Sequence, residues 1–120
     1  MVYTAQSQSL AALEMLVHLD SCELLNQYVV AEIEIDYSLI AEFDHSLLPR
    51  NWRADPAPAK ATAIGDEWMR ESRSAALKLP STIIPSEAVL LLNPRHEDFA
   101  KIHFGKFESF RFDPRLVKRN

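Results

Sequence analysis

The sequence has 120 residues, 48% of them hydrophobic and 25% charged, which is typical of one globular domain and argues against a disordered chain. The net charge of -4 argues against a nucleic-acid-binding protein, which normally presents a basic surface to phosphates. A lone cysteine, Cys22, excludes a disulfide framework and a thiolate zinc cluster, so we expect a cytoplasmic protein. The longest apolar stretches, Leu10–Leu13 and Ala88–Leu92, are too short to span a bilayer, and we expect no membrane contact.

The N-terminal segment predicts a strand end followed by a helix. Val2–Thr4 has β character but is too short for a full strand, which suggests the end of one. A helix is predicted over Leu10–Leu19, with Ser7 or Ser9 as its N-cap. Eight of its ten residues are apolar, so we expect this helix to be buried on all sides.

The next third of the chain predicts strands and then a loop. Tyr28–Asp36 ends in an alternation of apolar residues, Ala31, Ile33 and Ile35, with acidic ones, Glu32, Glu34 and Asp36, as in a strand with one face in solvent. Ser38–Asp44 is predicted as a second, less regular strand, and His45–Pro49 as a turn. Arg50–Ala61 contains two prolines and is predicted to be a surface loop.

A second helix is predicted over Thr62–Arg73, capped by Thr62 or Asp66. A short strand, Ala75–Leu79, is expected to follow, and Thr82–Ile84 to extend it. These elements begin the C-terminal half of the domain.

The remaining elements are short. Ala88–Leu92 is a continuous apolar run, which predicts a fully buried strand. A short helix is predicted over Arg95–Lys101, then strands at Ile102–Phe104 and Phe110–Phe112. This mixed order predicts a compact α+β domain with two small sheets or one strongly bent sheet.

Glycine content limits how a nucleotide could bind. The chain has two glycines and neither opens a Gly-rich turn, which excludes a P-loop and a Rossmann fingerprint. Any bound nucleotide must therefore be held mainly by side chains.

Glu14 is the leading candidate for a functional residue. A carboxylate within an apolar helix is costly unless it is paired, so it either makes a buried structural contact or lines a cleft. His18 lies four residues later on the same face and could share a metal with Glu14, but the spacing suggests no third ligand. We therefore expect no metal.

Ser81 has two interpretations. A serine after Pro80 at a strand end is most often a turn residue. If the extended path continues, period two places it on the same face as Leu77 and Leu79, where it could contact a ligand.

Five blocks, in chain order, resemble the RES-domain family. They are Tyr3-Thr4 with the helix around Glu14, Gly65-Asp66-Glu67-Trp68, Leu79-Pro80-Ser81 with Ile84-Pro85-x-Glu87, Leu92-Asn93-Pro94-x-His96-x-x-Phe99, and Phe112-Asp113-Pro114-Arg115-Leu116. The resemblance implies a fold like that of ADP-ribosyltransferases and a toxin that degrades NAD by hydrolysis or phosphorolysis. Some members of the family instead modify a protein with ADP-ribose. It also implies a helical antitoxin of the Xre/MbcA/ParS type that plugs the active-site cleft.

The family is named for an Arg, a Glu and a Ser, and the last two correspond to Glu14 and Ser81. The resemblance implies that both are catalytic and that Tyr3, Glu14 and Ser81 contact NAD. Glu14 would stabilise the oxocarbenium-like state formed when the nicotinamide–ribose bond breaks.

Two departures from the family pattern lead to further expectations. The family's Arg and an aromatic residue of its nicotinamide pocket precede the Tyr3-Thr4 block, and Val89 stands where the family pattern has a polar Asn. We therefore expect residues 1–120 to be an N-terminally truncated RES domain that lacks the N-terminal strand region and by itself leaves cellular NAD largely intact. The alternative is an inactive domain that only binds its antitoxin. A missing strand would also expose a sheet edge and favour homo-oligomers.

Overall fold

The computed structural model describes residues 1–17 and 28–116, and within them the fold is α+β, as predicted. Two α-helices and eight short strands form in this part of the chain. They are α1 Gln8–Leu16, α2 Ala59–Glu71, β1 Val2–Ala5, β2 Tyr28–Val30, β3 Ile33–Glu34, β4 Ile40–Glu42, β5 Ala76–Pro80, β6 Ala88–Leu92, β7 His103–Phe104 and β8 Glu108–Phe110. Neither helix has the length and apolarity needed to cross a membrane.

The main sheet has the strand order β1-β6-β5-β4. β6 is central and antiparallel to both neighbours, while β4 and β5 are parallel. The predicted strand Ala88–Leu92 is confirmed with its bounds, but it is not fully buried as predicted, because Val89 and Leu90 are half-buried. The segment Val2–Thr4 lies in the strand β1, which pairs with β6 at one edge of the sheet and ends at Ala5.

Apolar side chains cover both faces of this sheet. On one face, Trp68 of α2 packs against Leu77 and Leu91. On the other face, Ala76 and Leu92 belong to a cluster that also contains Leu39, Ala75 and Ile102. β5 and β6 are packed between the two clusters. A side chain at the end of either strand is therefore attached to a rigid part of the fold.

The predicted single strand Tyr28–Asp36 is wrong as one element. β2 pairs with β8 and β3 pairs with β7, and the register shifts by one residue between the two pairings. Residues 31–32 therefore lie opposite residues 105–107, which is a β-bulge. The predicted alternation of faces is confirmed, since Glu32 and Glu34 are exposed and Ile33 is half-buried.

Gly105 sits in this bulge and donates its N–H to the carbonyl of Glu32 at 2.7 Å. A Cβ atom at Gly105 would lie 2.9 Å from that same carbonyl oxygen, closer than real Cβ atoms come. Gly105→Ala is therefore expected to lower the free energy of unfolding by about 1–3 kcal/mol in urea denaturation.

The matched control is the other glycine, Gly65, which lies inside α2. A Cβ there would meet side chains of Leu91 and Met1 at 3.5 Å, an ordinary contact. Gly65→Ala is expected to stabilise the protein by about 0.5–1 kcal/mol, because Gly is a poor helix former. Equal effects of the two variants would contradict this account of the bulge.

The first helix confirms its predicted cap but not its predicted burial. Ser7 is the N-cap, and its Oγ accepts the N–H of Leu10 at 3.1 Å. Leu10 is buried, but Leu13, Met15 and Val17 are 36%, 43% and 60% exposed, so the prediction of burial on all sides is wrong. Within the described part of the chain, Leu10 is the buried residue of α1, and exposed apolar residues lie both near it on the helix, at Leu13 and Val17, and away from it, at Met15.

The second helix begins earlier than predicted, at Ala59, and so shortens the predicted loop Arg50–Ala61. Pro58 occupies the N-cap position, and neither Thr62 nor Asp66 caps the helix. Its end is set by Ser72, which adopts the left-handed conformation with φ 51°.

Five other predicted elements are shorter, shifted or absent. The predicted strands Ile102–Phe104 and Phe110–Phe112 are observed as β7 His103–Phe104 and β8 Glu108–Phe110. Ser38–Asp44 yields the three-residue strand β4, preceded by a 3-10 turn. The predicted helix Arg95–Lys101 is a 3-10 helix over Glu97–Lys101. Thr82–Ile84 does not extend β5, because the amides of Ile83 and Ile84 bond the Ser81 side chain and not a neighbouring strand.

Candidate active site

Both predicted catalytic residues lie at one end of the main sheet, where β5 ends and β6 begins. Residues 81–87, here called the 81–87 turn, connect these two strands. The turn is closed by two backbone hydrogen bonds, from Ser81 N to Glu87 O at 2.8 Å and from Glu87 N to Ile84 O at 2.9 Å. β1 ends beside it, since Gln6 Oε1 accepts the N–H of Ala88 at 2.7 Å.

One stripe of α1 faces the 81–87 turn. Ser7, Leu10 and Glu14 are spaced i, i+3 and i+7, so they lie along one side of the helix. The Ser7 Oγ donates to Glu87 Oε1 at 3.3 Å, and Leu10 is 1% exposed between the two ends of the stripe. Leu10 thus anchors the helix, and the polar residues on either side of it fix its rotation against the turn.

The stripe ends in a hydrogen bond between the two predicted catalytic side chains. Ser81 Oγ lies 2.7 Å from Glu14 Oε1, although 67 residues separate them in the chain. Ser81 is 1% exposed and Glu14 is half-buried. The pairing that a carboxylate within an apolar helix requires is therefore supplied by a serine hydroxyl.

The direction of this hydrogen bond follows from the other partners of Ser81. Its Oγ accepts the N–H of Ile83 at 3.1 Å and the N–H of Ile84 at 3.0 Å. A serine hydroxyl has two acceptor lone pairs and one proton, so the proton is left to point at Glu14. Ser81 is thus both of the things that the sequence suggested, a turn residue and a side chain at the candidate site.

This arrangement fixes a carboxylate in a site that is partly shielded from water. A carboxylate held in place can stabilise a positive charge that develops nearby without reorganising during the reaction. It can also accept a proton from a bound hydroxyl group. The geometry suits chemistry in which a cationic centre forms on a ligand next to α1.

Tyr3 is not brought into contact with the other two predicted residues. It lies on the edge strand β1 opposite Leu91 and is 72% exposed. Within the described residues, no hydrogen bond joins it to Glu14 or Ser81. Its role in binding NAD stays a prediction.

The sequence does not indicate the residues that support the pair. Its patterns predict Ser7 only as a helix cap, include Glu87 only in a family block, and place Arg53 in a surface loop. Arg53 Nε donates to Thr82 O at 2.7 Å, so this loop reaches the 81–87 turn. The family block that contains Glu87 is the one sequence signal for the 81–87 turn. No motif or periodicity near Arg53 indicates its contact with that turn.

No group of three His, Cys, Asp or Glu side chains that could hold a metal ion occurs among residues 1–17 and 28–116. His18, considered above as a partner of Glu14, lies outside the described residues.

Comparison with known proteins identifies the family. The model of the RES domain matches residues 1–113, which include the whole of the candidate site. The chain belongs to the RES family. Relatives include Toxin Res of Yersinia enterocolitica, 45% identical over 116 residues that cover 96% of this chain and 76% of the relative.

Two further relatives are similar along nearly the whole chain. Toxin Res of Photorhabdus laumondii is 44% identical, over 98% of this chain and 76% of the relative. The Prs ADP-ribosylating toxin of a Sphingobium species is 39% identical, over 98% of this chain and 75% of the relative. This RES domain is therefore homologous to proteins known as toxins, and the resemblance inferred from its sequence is confirmed.

Proposed function

We propose that this RES domain acts as a toxin by cleaving the nicotinamide–ribose bond of NAD. The observation that carries the proposal is the 2.7 Å hydrogen bond between Ser81 and Glu14, which connects the two residues that correspond to the Ser and Glu of the family name. Sequence similarity to toxins along nearly the whole chain supports the same function.

In this reaction the bond between ribose C1′ and the nicotinamide nitrogen breaks, and its electron pair leaves with nicotinamide. Positive charge then develops on the ribose, where the Glu14 carboxylate stabilises it. Ser81 holds that carboxylate in position and prevents it from rotating away. Water or phosphate adds to C1′ and gives ADP-ribose or its 1-phosphate.

The test is release of nicotinamide from millimolar NAD by the purified chain, followed by chromatography. We expect nicotinamide release at a rate slow enough to leave cellular NAD largely intact, and we expect this release to be lost in Glu14→Ala, while circular dichroism shows that the variant keeps its fold. Running the reaction with and without phosphate identifies the acceptor. A folded chain that releases no nicotinamide would contradict the proposal and would favour a non-catalytic domain that only binds its antitoxin.

A second candidate is transfer of ADP-ribose to a protein. The observation that favours it is the 39% identity to the Prs ADP-ribosylating toxin. The same site would serve, because the first step also breaks the nicotinamide–ribose bond and only the acceptor differs. The test uses NAD labelled in its adenine. Label that appears on protein and not on free ADP-ribose would show that ADP-ribose is transferred to protein.

We further propose a cytoplasmic toxin that is neutralised by a helical antitoxin of the Xre/MbcA/ParS type. Leu13, Met15 and Val17 are exposed on the same helix that carries Glu14. Apolar side chains in solvent beside a site are suited to being covered by a partner protein. An antitoxin seated there would also block the approach of NAD to Glu14.

A further inference from the structure

Arg53 connects the loop before α2 to the 81–87 turn. Its Nε donates to Thr82 O at 2.7 Å and its Nη2 to Ile83 O at 3.4 Å. These partners are 29 and 30 residues away in the chain, so this is a tertiary contact and not a local one. A guanidinium group can bind two neighbouring carbonyls at once because its donors form a planar fork.

The two carbonyls belong to the same peptide groups whose amides hold Ser81. The carbonyl of Thr82 and the N–H of Ile83 form one peptide group, and the carbonyl of Ile83 and the N–H of Ile84 form the next. Arg53 therefore bonds the oxygen ends of the two groups, while Ser81 Oγ accepts from their nitrogen ends.

The result is a continuous chain of hydrogen bonds that all run in one direction. It begins at the Arg53 guanidinium, passes through the two peptide groups to Ser81 Oγ, and ends at Glu14 Oε1. Hydrogen bonds in such a chain polarise and strengthen one another. A cation at the donor end and a carboxylate at the acceptor end favour the same polarity throughout.

We propose that Arg53 is a positioning residue for the active site, which acts by holding the two peptide groups that direct the Ser81 proton at Glu14. Its effect on catalysis rests on the proposed function, whereas its hold on the 81–87 turn does not. Arg53 itself is exposed and lies at the outer side of the turn, so it works through Ser81.

Three variants separate this role from a general structural one. Arg53→Ala removes both hydrogen bonds, and Arg53→Lys keeps the charge but loses the fork. Arg50→Ala is the matched control, because Arg50 is an exposed arginine of the same loop and, among the described residues, makes no hydrogen bond to the turn. Each variant is assayed for nicotinamide release and for hydrogen exchange of individual amides by NMR.

Arg53→Ala is expected to lower kcat about tenfold, the effect of losing one charge-assisted hydrogen bond, with KM changed less. Arg53→Lys is expected to fall between this variant and the wild type, and added guanidinium ion to restore part of the activity of Arg53→Ala. In Arg53→Ala, the amide hydrogens of Ile83 and Ile84 should exchange faster, while the amide hydrogens of β6 exchange at the wild-type rate. In Arg50→Ala, both the exchange rates and kcat should stay unchanged.

Unchanged exchange at Ile83 and Ile84 in Arg53→Ala would overturn the proposal. Faster exchange with an unchanged kcat would overturn it as well, because the turn would then loosen without any effect on the site. If the wild type releases no nicotinamide, the proposed function fails, and the exchange rates alone still decide whether Arg53 holds the turn.

Discussion

Glu14→Gln and Ser81→Ala are each expected to lower kcat for nicotinamide release about 10²–10³-fold, the range seen when one preorganised electrostatic group is removed. Glu14→Gln keeps the shape of the side chain and removes the charge that would stabilise the ribose cation. Ser81→Ala removes the hydroxyl that lies 2.7 Å from Glu14 Oε1 and leaves the carboxylate free to rotate. Both rates are measured at saturating NAD, so that changes in affinity do not enter.

The double variant tests whether the two side chains act as one unit. Residues that work together in catalysis show strongly non-additive losses, so we expect Glu14→Gln with Ser81→Ala to be no slower than the worse single variant. Glu67→Gln and Ser109→Ala are matched controls, since both side chains are exposed and, among the described residues, make no hydrogen bond to Glu14, Ser81 or the rest of the 81–87 turn. A double variant whose loss equals the product of the two single losses would show that Glu14 and Ser81 act independently.

Part of the site could be predicted from the sequence because its signals are local. A charged residue in an apolar helix marks Glu14, and a serine that follows a strand and a proline marks Ser81. Ser7 was found because N-caps depend on the residues immediately after them. The apolar run of β6 likewise indicates a strand in the interior of a sheet, since strands packed on both faces are rich in consecutive apolar residues.

The contacts between distant residues could not be predicted in this way. The hydrogen bond from Ser81 to Glu14 spans 67 residues and the one from Arg53 to Thr82 spans 29. Neither leaves a trace in spacing or periodicity. The bulge was also hidden, because the extra residue lies on the Gly105 side and the alternation around Glu32 continues without a break.

The predicted burial of α1 on all sides is wrong for a related reason. Composition reports which residues avoid water, but not how much surface the rest of the fold offers to cover them. Among residues 1–17 and 28–116, Leu10 is covered at 1% exposure, whereas Val17 is 60% exposed. An apolar helical sequence is therefore compatible with a helix buried in the core and also with a helix whose apolar side chains are exposed and can contact a partner.

Phe112→Ala is expected to lower the free energy of unfolding by about 3–5 kcal/mol in urea denaturation, since it leaves a cavity in the core. Phe112 is 1% exposed, and its ring packs edge-on against Tyr28 and Phe110 at centroid distances of 5.6 and 4.9 Å. Phe107→Ala is the matched control, because that ring is 68% exposed and its loss should change stability by no more than about 0.5 kcal/mol. Equal losses would contradict a core role for Phe112. The expected difference would show that this part of the closing family block contributes packing to the core.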